Sequence, residues 1–161
     1  ARAKASAELA AAMEESTAKL KGELGGDYGK FERFEKSKPE REQLKVLGSM
    51  LKDKGLDLDE ATESRLMDTM YTERLAFKFD HDLSDMSRAA PEKISPESVD
   101  RYLEQNAVLQ QQIQGKAKDI LSQDQYDVFL KSQENQQQMM QMGLKMWQKM
   151  NLDGGTTEAR D

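Results

Sequence analysis

The hydrophobic positions of this chain recur mostly at steps of three and four residues, which is the spacing of one face of an α-helix. The longest stripe has seven members on one helical face, which are Val99, Tyr102, Asn106, Leu109, Ile113, Ala117 and Ile120. The alternation of apolar and polar residues that marks a strand does not occur, and β-branched residues are few. We therefore predict an all-α protein.

The first part of the chain predicts helices of a weaker kind. Residues 1–22 are rich in Ala, Glu and Lys but carry only a faint apolar stripe, so we predict a loosely attached N-terminal helix. A Gly-rich stretch up to Gly29 then interrupts it. Tyr28, Phe31 and Phe34 follow at steps of three residues, and we expect them to lie on one face of a short helix and to plug the core.

Stronger stripes predict four main helices, which cover residues 37–55, 59–88, 95–120 and 122–150. Caps and breaks mark their ends. Pro96 suits the first turn of a helix that Ser95 caps. Ala90-Pro91 ends the helix before it, because a residue that precedes proline avoids the helical region.

Two joints between these helices share one layout. In each joint a leucine stands directly before a residue that caps the next helix, Leu58 before Asp59 and Leu121 before Ser122. The leucine can pack as a hydrophobic staple while the side-chain oxygen accepts a bond from the next helix. Gln125, three residues after Ser122, completes a capping box.

The repeated layout predicts two stacked helical hairpins, residues 30–90 and 91–150. Together they would form one helical domain over residues 30–150. Residues 1–29 would be the N-terminal helix with its Gly-rich linker, and residues 151–161 a disordered tail.

The composition excludes several classes of function. Charged residues make up 34% of the chain and hydrophobic ones 37%, so long helices with thin seams, helped by self-association, suit it better than a thick core. The net charge of -6 and interspersed basic residues argue against nucleic acid as a partner. No apolar run is long enough to span a membrane. Because the chain starts at Ala1, we expect a processed or truncated form.

The chemistry-bearing residues do not form a catalytic set. There is no cysteine, which excludes thiolate nucleophiles and thiolate metal sites. The single histidine, His81, has only Asp85 at helical spacing, and two ligands make a poor metal site. Acidic pairs such as Asp57 and Asp59 are better explained as helix caps. We predict no enzymatic activity, no cofactor and no metal in this set.

The last predicted helix carries the most distinctive pattern in the chain. A helix turns about 100° per residue, and on that projection its apolar residues fill roughly 200° of the circumference. Met140, Leu144 and Trp147 belong to a heptad-like seam that the fold can bury. Partner binding is assigned to this helix, at Met139, Met142, Met146, Trp147 and Met150.

Three interpretations of the methionines stay open. Packing or dimerisation is the plainest, since methionine at helical spacing fills cores and oligomer seams. A plastic surface for other proteins is the second, because methionine adapts to many partners. The third is a copper site, since thioethers are soft ligands that suit Cu(I).

One short motif resembles a known family. Leu121-Ser122-Gln123-Asp124-Gln125 is similar to the LTxxQ motif of small bacterial envelope proteins, the Spy and CpxP-like group. Leu58-Asp59-Glu60-Ala61-Thr62 resembles a degenerate copy, with threonine in place of glutamine. The segment from Phe31 to Leu51 also resembles uncharacterised secreted helical proteins.

The resemblance implies a periplasmic or secreted helical protein. Members of the group include an ATP-independent chaperone, stress-signalling regulators and metal-responsive proteins, often as dimers. We therefore predict a non-enzymatic envelope protein that binds protein partners or clients through its Met-rich helix and forms a homodimer. The alternatives are a periplasmic copper sensor and a purely structural helical oligomer.

Overall fold

A computed structural model describes residues 2–84 and 94–152 of the chain. Within these residues the chain is helical and contains no strand, which confirms the all-α class for the part described. The α-helices are α1 Arg2–Leu24, α2 Tyr28–Lys36, α3 Lys38–Lys52, α4 Glu60–Ala76, α5 Pro96–Ala117 and α6 Gln123–Leu152, with a 3₁₀ turn over Gly25–Asp27. The predicted tail from Asp153 onward lies outside the described residues.

The chain divides into two compact units, Ala1–Pro39 and Glu40–Asp161. The predicted boundary at residue 29 falls ten residues earlier than this division. The Gly-rich stretch does not act as an open linker, because Gly25–Asp27 is a 3₁₀ turn that leads from α1 directly into α2. Gly25 makes this possible with a φ of 51°, a left-handed conformation that glycine adopts without steric cost.

In the N-terminal unit, the prediction that Tyr28, Phe31 and Phe34 plug the core is wrong. The Tyr28 and Phe31 rings contact each other with centroids 6.3 Å apart, and the Lys21 ammonium lies 5.8 Å from the Tyr28 ring centre. No residue of α2 is buried, however, and Phe34 is 54% exposed. The physical reason is that α1, rich in Ala, Glu and Lys, has no broad apolar stripe against which the rings could pack.

The larger unit has a central core to which all four of its helices contribute. Its buried members are Leu44, Leu47, Leu51, Leu66, Met70, Leu109, Ile113, Ala117, Leu121, Val128 and Phe129. These residues recur at the three- and four-residue steps that the sequence shows, so each helix turns its apolar stripe inward. Helix α5 occupies the middle, in contact with both α4 and α6.

A second core cluster shows where the predicted helices were wrong. Helix α4 ends at Ala76 rather than near residue 88, and Phe77 is already extended, with φ -75° and ψ 131°. The extended backbone places Phe77 and Phe79 side by side, with ring centroids 4.8 Å apart. A helix would separate residues two apart by about 200° and bury only one of them. Residues 85–93, where the predicted helix ended, lie outside the described part.

That second cluster joins the extended segment to the early part of α5 and the late part of α6. Its buried residues are Leu83, Ile94, Val99, Tyr102 and Leu144, with Phe79, Leu103, Met140 and Trp147 packed around them. Helix α5 starts at this cluster, capped by Ser95, whose Oγ accepts the Ser98 backbone N–H at 3.1 Å. Pro96 occupies the first turn as the sequence indicates.

A buried ion pair holds the first turn of α3 against the last turn of α4. The Glu40 side chain is only 3% exposed, and both of its carboxylate oxygens accept bonds from the Arg74 guanidinium. Arg74 also lies over the Tyr71 ring, with its guanidinium carbon 5.7 Å from the ring centre. The paired geometry satisfies a carboxylate that would otherwise be costly to bury.

The two joints that look alike in the sequence lie against each other. Gln125 Oε1 accepts the Ser122 backbone N–H at 3.1 Å, and Ser122 Oγ accepts the Gln125 backbone N–H at 3.3 Å. The amide nitrogen of Gln125 then donates to the carbonyls of Leu56 and Asp57, both at 3.3 Å. One side chain therefore caps α6 and binds the loop before α4.

The other joint residues cap α4 or pack in the central core. Asp59 caps α4, because its Oδ1 accepts the Thr62 backbone N–H at 2.7 Å, and this bond lowers the pKa of the Asp59 carboxyl. Leu121 is buried and Leu58 is partly buried, and both pack in the central core. The leucines before the caps thus connect the joints to the core.

We expect Gln125→Ala to lower the free energy of unfolding by roughly 1–2 kcal/mol, because it removes a cap and two bonds to carbonyls. Gln125→Glu keeps the acceptor for Ser122 but loses the donor, so it should cost about 1 kcal/mol. Gln123→Ala is the matched control, since Gln123 bonds only to Asp127 within the same helix and is exposed. Urea denaturation measures all three; a Gln125→Glu variant as stable as the wild type would contradict the role of the cross-joint bonds.

Burial raises the pKa of the Tyr102 hydroxyl to about 12, and the negative charge of Asp82 adds to the shift. The unfolded chain releases this proton near pH 10, whereas the folded chain keeps it, so stability falls as the pH rises from about 10 to 12. We expect Tyr102 to account for roughly 2–3 kcal/mol of that loss. Denaturation of the wild type and of Tyr102→Phe across this range tests it, and equal slopes would show that the hydroxyl does not contribute.

Candidate protein-binding surface

Helix α6 packs one of its apolar sides into the fold. Leu144 is buried in the second cluster, and Met140 and Trp147 are partly buried against it. Met140 also receives a contact from α5, where the Asn106 amide nitrogen lies 3.4 Å from its sulfur. The heptad-like seam that the sequence shows is therefore the core-facing side of this helix.

A second apolar side of α6 stays open. Met139, Met142, Met146 and Met150, which we call the methionine face, are between 62% and 73% exposed. Counted at 100° per residue, the four side chains lie within an arc of roughly 80°. That arc is centred about 120° around the helix from the seam, so burying the seam leaves it uncovered.

The difference in helix lengths explains why this side is uncovered. Helix α6 has 30 residues and α3 has 15, which correspond to about 45 Å and 22 Å of helix. In the first turns of α6, Val128 and Ser132 point the same way as the methionine face and are buried. Gln43 of α3 and Gln136 of α6 line one small cavity, so α3 lies beside α6 at least as far as Gln136.

A glycine lies within the methionine face. Gly143 is four residues after Met139 and three before Met146, so it occupies the same side of the helix. A Cβ atom at Gly143 would meet no other atom within 4 Å, so packing inside the chain does not require glycine there. In a helix interior, glycine costs about 1 kcal/mol relative to alanine. The shallow depression that it makes opens outward.

The charged residues that α6 carries beside the methionine face, between Asn135 and Met150, are all basic. Lys145 and Lys149 are exposed along one edge, together with Gln138. No acidic residue occurs between Asn135 and Met150, although the whole chain carries a net charge of -6. The face is therefore an apolar surface with a locally basic edge on an acidic protein.

The residues predicted to bind partners do not all lie together. The structure groups the four methionines but places Trp147 on the seam side, packed against the second cluster. The joint residues Leu121, Ser122 and Gln125, which were predicted to cap and shape the hairpin rather than to bind a partner, lie near the start of α6. Since α6 rises 1.5 Å per residue, Gln125 lies roughly 25 Å from Met142.

Two features of this helix were not predicted from the sequence. One is Gly143, whose signal was its spacing of four residues from Met139. The other is a bond between two glutamines, in which the Gln114 amide nitrogen donates to Gln133 Oε1 at 2.9 Å. Gln133 is buried, and the bond links α5 to α6. The heptad position of Gln133 indicated that it lies in a helix–helix seam, but it did not indicate that Gln114 would be its hydrogen-bond partner.

The polar cluster around His81 does not assemble a metal site in the described residues. Asp80 binds Arg101 instead, at 2.9 Å, and this hydrogen bond lowers the pKa of the Asp80 carboxyl. His81 itself is exposed, and Asp85 lies outside the described part. Across residues 2–84 and 94–152, no three His, Asp or Glu side chains lie close enough to hold a metal ion. Copper binding by the thioethers stays a prediction.

A membrane-spanning helix is not found among the described residues either, since none is both long and apolar enough to cross a bilayer.

The chain matches no family model, no curated protein and no solved structure. The resemblance to the Spy and CpxP-like group therefore stays a prediction, based on the motif at residues 121–125 and on the helical layout.

We expect the double variant Met142→Gln, Met146→Gln to change the free energy of unfolding by less than about 1 kcal/mol, because exposed side chains lose little on substitution. Leu144→Ala on the same helix should cost about 2–5 kcal/mol, since Leu144 is 5% exposed and its loss leaves a cavity. Urea denaturation distinguishes the two sides of α6. A large loss from the double variant would show that the methionines support the fold.

Proposed function

We propose that this protein is a non-enzymatic binding protein of the bacterial envelope that holds other proteins on its methionine face, in a chaperone-like or stress-regulatory role. The observation that carries the proposal is the exposure of four methionines on one side of a helix whose other apolar side is already buried. Contiguous exposed apolar patches on soluble proteins mark sites of interaction.

Methionine suits a surface that binds several partners. Its side chain is unbranched and polarizable, so it reshapes itself around different apolar groups at low cost. A face made of Leu or Ile would match fewer shapes. The proposal therefore expects broad binding of exposed apolar segments rather than recognition of one rigid epitope.

The rest of the larger unit would act as a platform. In our proposal α3 with α4 and α5 with α6 are two helical hairpins, stacked at the joints where Gln125 bonds to Leu56 and Asp57. This arrangement buries the seam side of α6 and leaves the methionine face open. The envelope location rests on the resemblance of the joint motif, and homodimer formation is the competing use of the same face.

The proposal predicts that the wild-type chain suppresses the aggregation of unfolded clients, tested by light scattering with insulin whose chains are separated by reduction. Met142→Gln, Met146→Gln should need at least about ten times more protein for the same effect, since burying each methionine contributes more than 1 kcal/mol.

The matched control is Leu75→Gln, which replaces an exposed apolar residue of α4 and should keep full activity. Equal suppression by the wild type and the double variant would contradict the role of the methionine face. No suppression of any unfolded client by the wild type would contradict the chaperone-like function. Sedimentation of the same samples shows whether the face is instead buried between two copies.

A further inference from the structure

We propose that the methionine face takes an amphipathic helix whose apolar side is flanked by acidic residues. This inference rests on the proposed function and names the class of partner. Two separate observations carry it, the shape of the face around Gly143 and the charge along its edge.

The shape of the face fits a helix. Met139, Met142, Gly143 and Met146 stand at positions i, i+3, i+4 and i+7 of α6. Four residues at this spacing form the hole that receives one side chain from a facing helix in knobs-into-holes packing. Because Gly143 has no side chain and no atom of the chain fills the space beside it, this hole is wider than one with four side chains around it and leaves room for an apolar side chain of the partner.

The spacing of the methionines also favours a helical peptide over an extended one. A helix presents apolar anchors at spacings of three and four residues, which is the spacing at which the methionines repeat. An extended strand instead relies on an exposed sheet edge for its backbone bonds. No strand occurs in the described residues, so the surface cannot provide such an edge there.

The positive charge along the edge of the methionine face favours a partner helix with acidic residues beside its apolar side. Lys145 and Lys149 lie one turn apart and exposed, beside Met142 and Met146 on the helix. With no acidic residue from Asn135 to Met150, a helix flanked by Glu or Asp gains attraction, and one flanked by Lys meets repulsion.

A second copy of this chain fits the face less well. In an antiparallel two-fold pair centred on the methionines, Lys145 of one copy would face Lys145 of the other. Four side chains are also few for a stable dimer, which engages about 20–30 residues on each side. An anionic membrane is a weaker candidate, because surfaces that recognise such lipids carry about four to eight clustered Lys or Arg residues and this edge has two.

The test uses two synthetic helical peptides with the same apolar side, Leu anchors around a central Phe, flanked by Glu in one and by Lys in the other. Binding is followed by the anisotropy of a dye on each peptide and by the fluorescence of Trp147, the single tryptophan of the chain. We expect the Glu peptide to bind at least ten times more tightly at low salt, and Lys145→Glu, Lys149→Glu to reverse this preference.

The hole is tested by Gly143→Ala, which should raise the melting temperature and yet weaken binding of the Glu peptide at least threefold. Gly115→Ala is the matched control, because Gly115 is also an exposed glycine within a helix with no atom within 4 Å of its Cβ position. It should raise the melting temperature and leave binding unchanged. Unchanged binding by Gly143→Ala would overturn the knob-in-hole geometry.

The remaining outcomes separate this inference from the proposed function. Equal binding of both peptides, or binding of neither while insulin aggregation is still suppressed, overturns the acidic helical partner and leaves the proposed function standing. Loss of both activities overturns the two together. Sedimentation as a dimer that Met142→Gln, Met146→Gln dissociates, or binding to anionic vesicles in preference to the Glu peptide, would assign the face to a different occupant.

Discussion

The larger unit depends on one leucine-rich seam that four helices share. Leu51 and Leu66 have no exposed surface, and around them α3, α4, α5 and α6 each contribute residues spaced by three and four positions. A chain with 37% hydrophobic residues cannot build a thick core, so nearly all of its stability must come from such thin contacts between helices. The joints add contacts that the thin core lacks. The Gln125 side chain, at the joint before α6, donates to the carbonyls of Leu56 and Asp57 in the loop before α4 and so ties the two joints together.

The open surface is a consequence of the same arrangement. Helix α6 is twice as long as α3, so a side of α6 that is buried near Val128 becomes exposed near Met142. Beyond the stretch of α6 beside which α3 lies, the same side of α6 carries Met139, Met142, Met146 and Met150. Methionine there exposes a flexible side chain, and Gly143 leaves a depression among the four. These properties suit the binding of other proteins, which is the function that we propose for this part of the helix.

Prediction from the sequence succeeded where a single periodic pattern decides the outcome. The stripes of α3 and α5 and the caps at Asp59 and Ser95 are all visible in the sequence, because each depends on residues within a few positions of one another. The prediction was wrong at Phe77 and Phe79, because these residues, two apart, are both partly buried from an extended backbone. It was also wrong for Phe34, because aromatic spacing predicts a helical face but not whether another surface covers it.

By itself the sequence determined that the described chain is helical, where its strongest stripes lie, and that the last helix has more apolar circumference than one contact can bury. Those properties follow from local backbone preferences and helical periodicity, which act over a few residues. Only the tertiary structure decided how the width of α6 is divided, with Leu144 and Trp147 inside and Met142 and Met146 outside. That division depends on which helices lie beside α6 and on how far each one reaches, and no pattern within α6 contains this information.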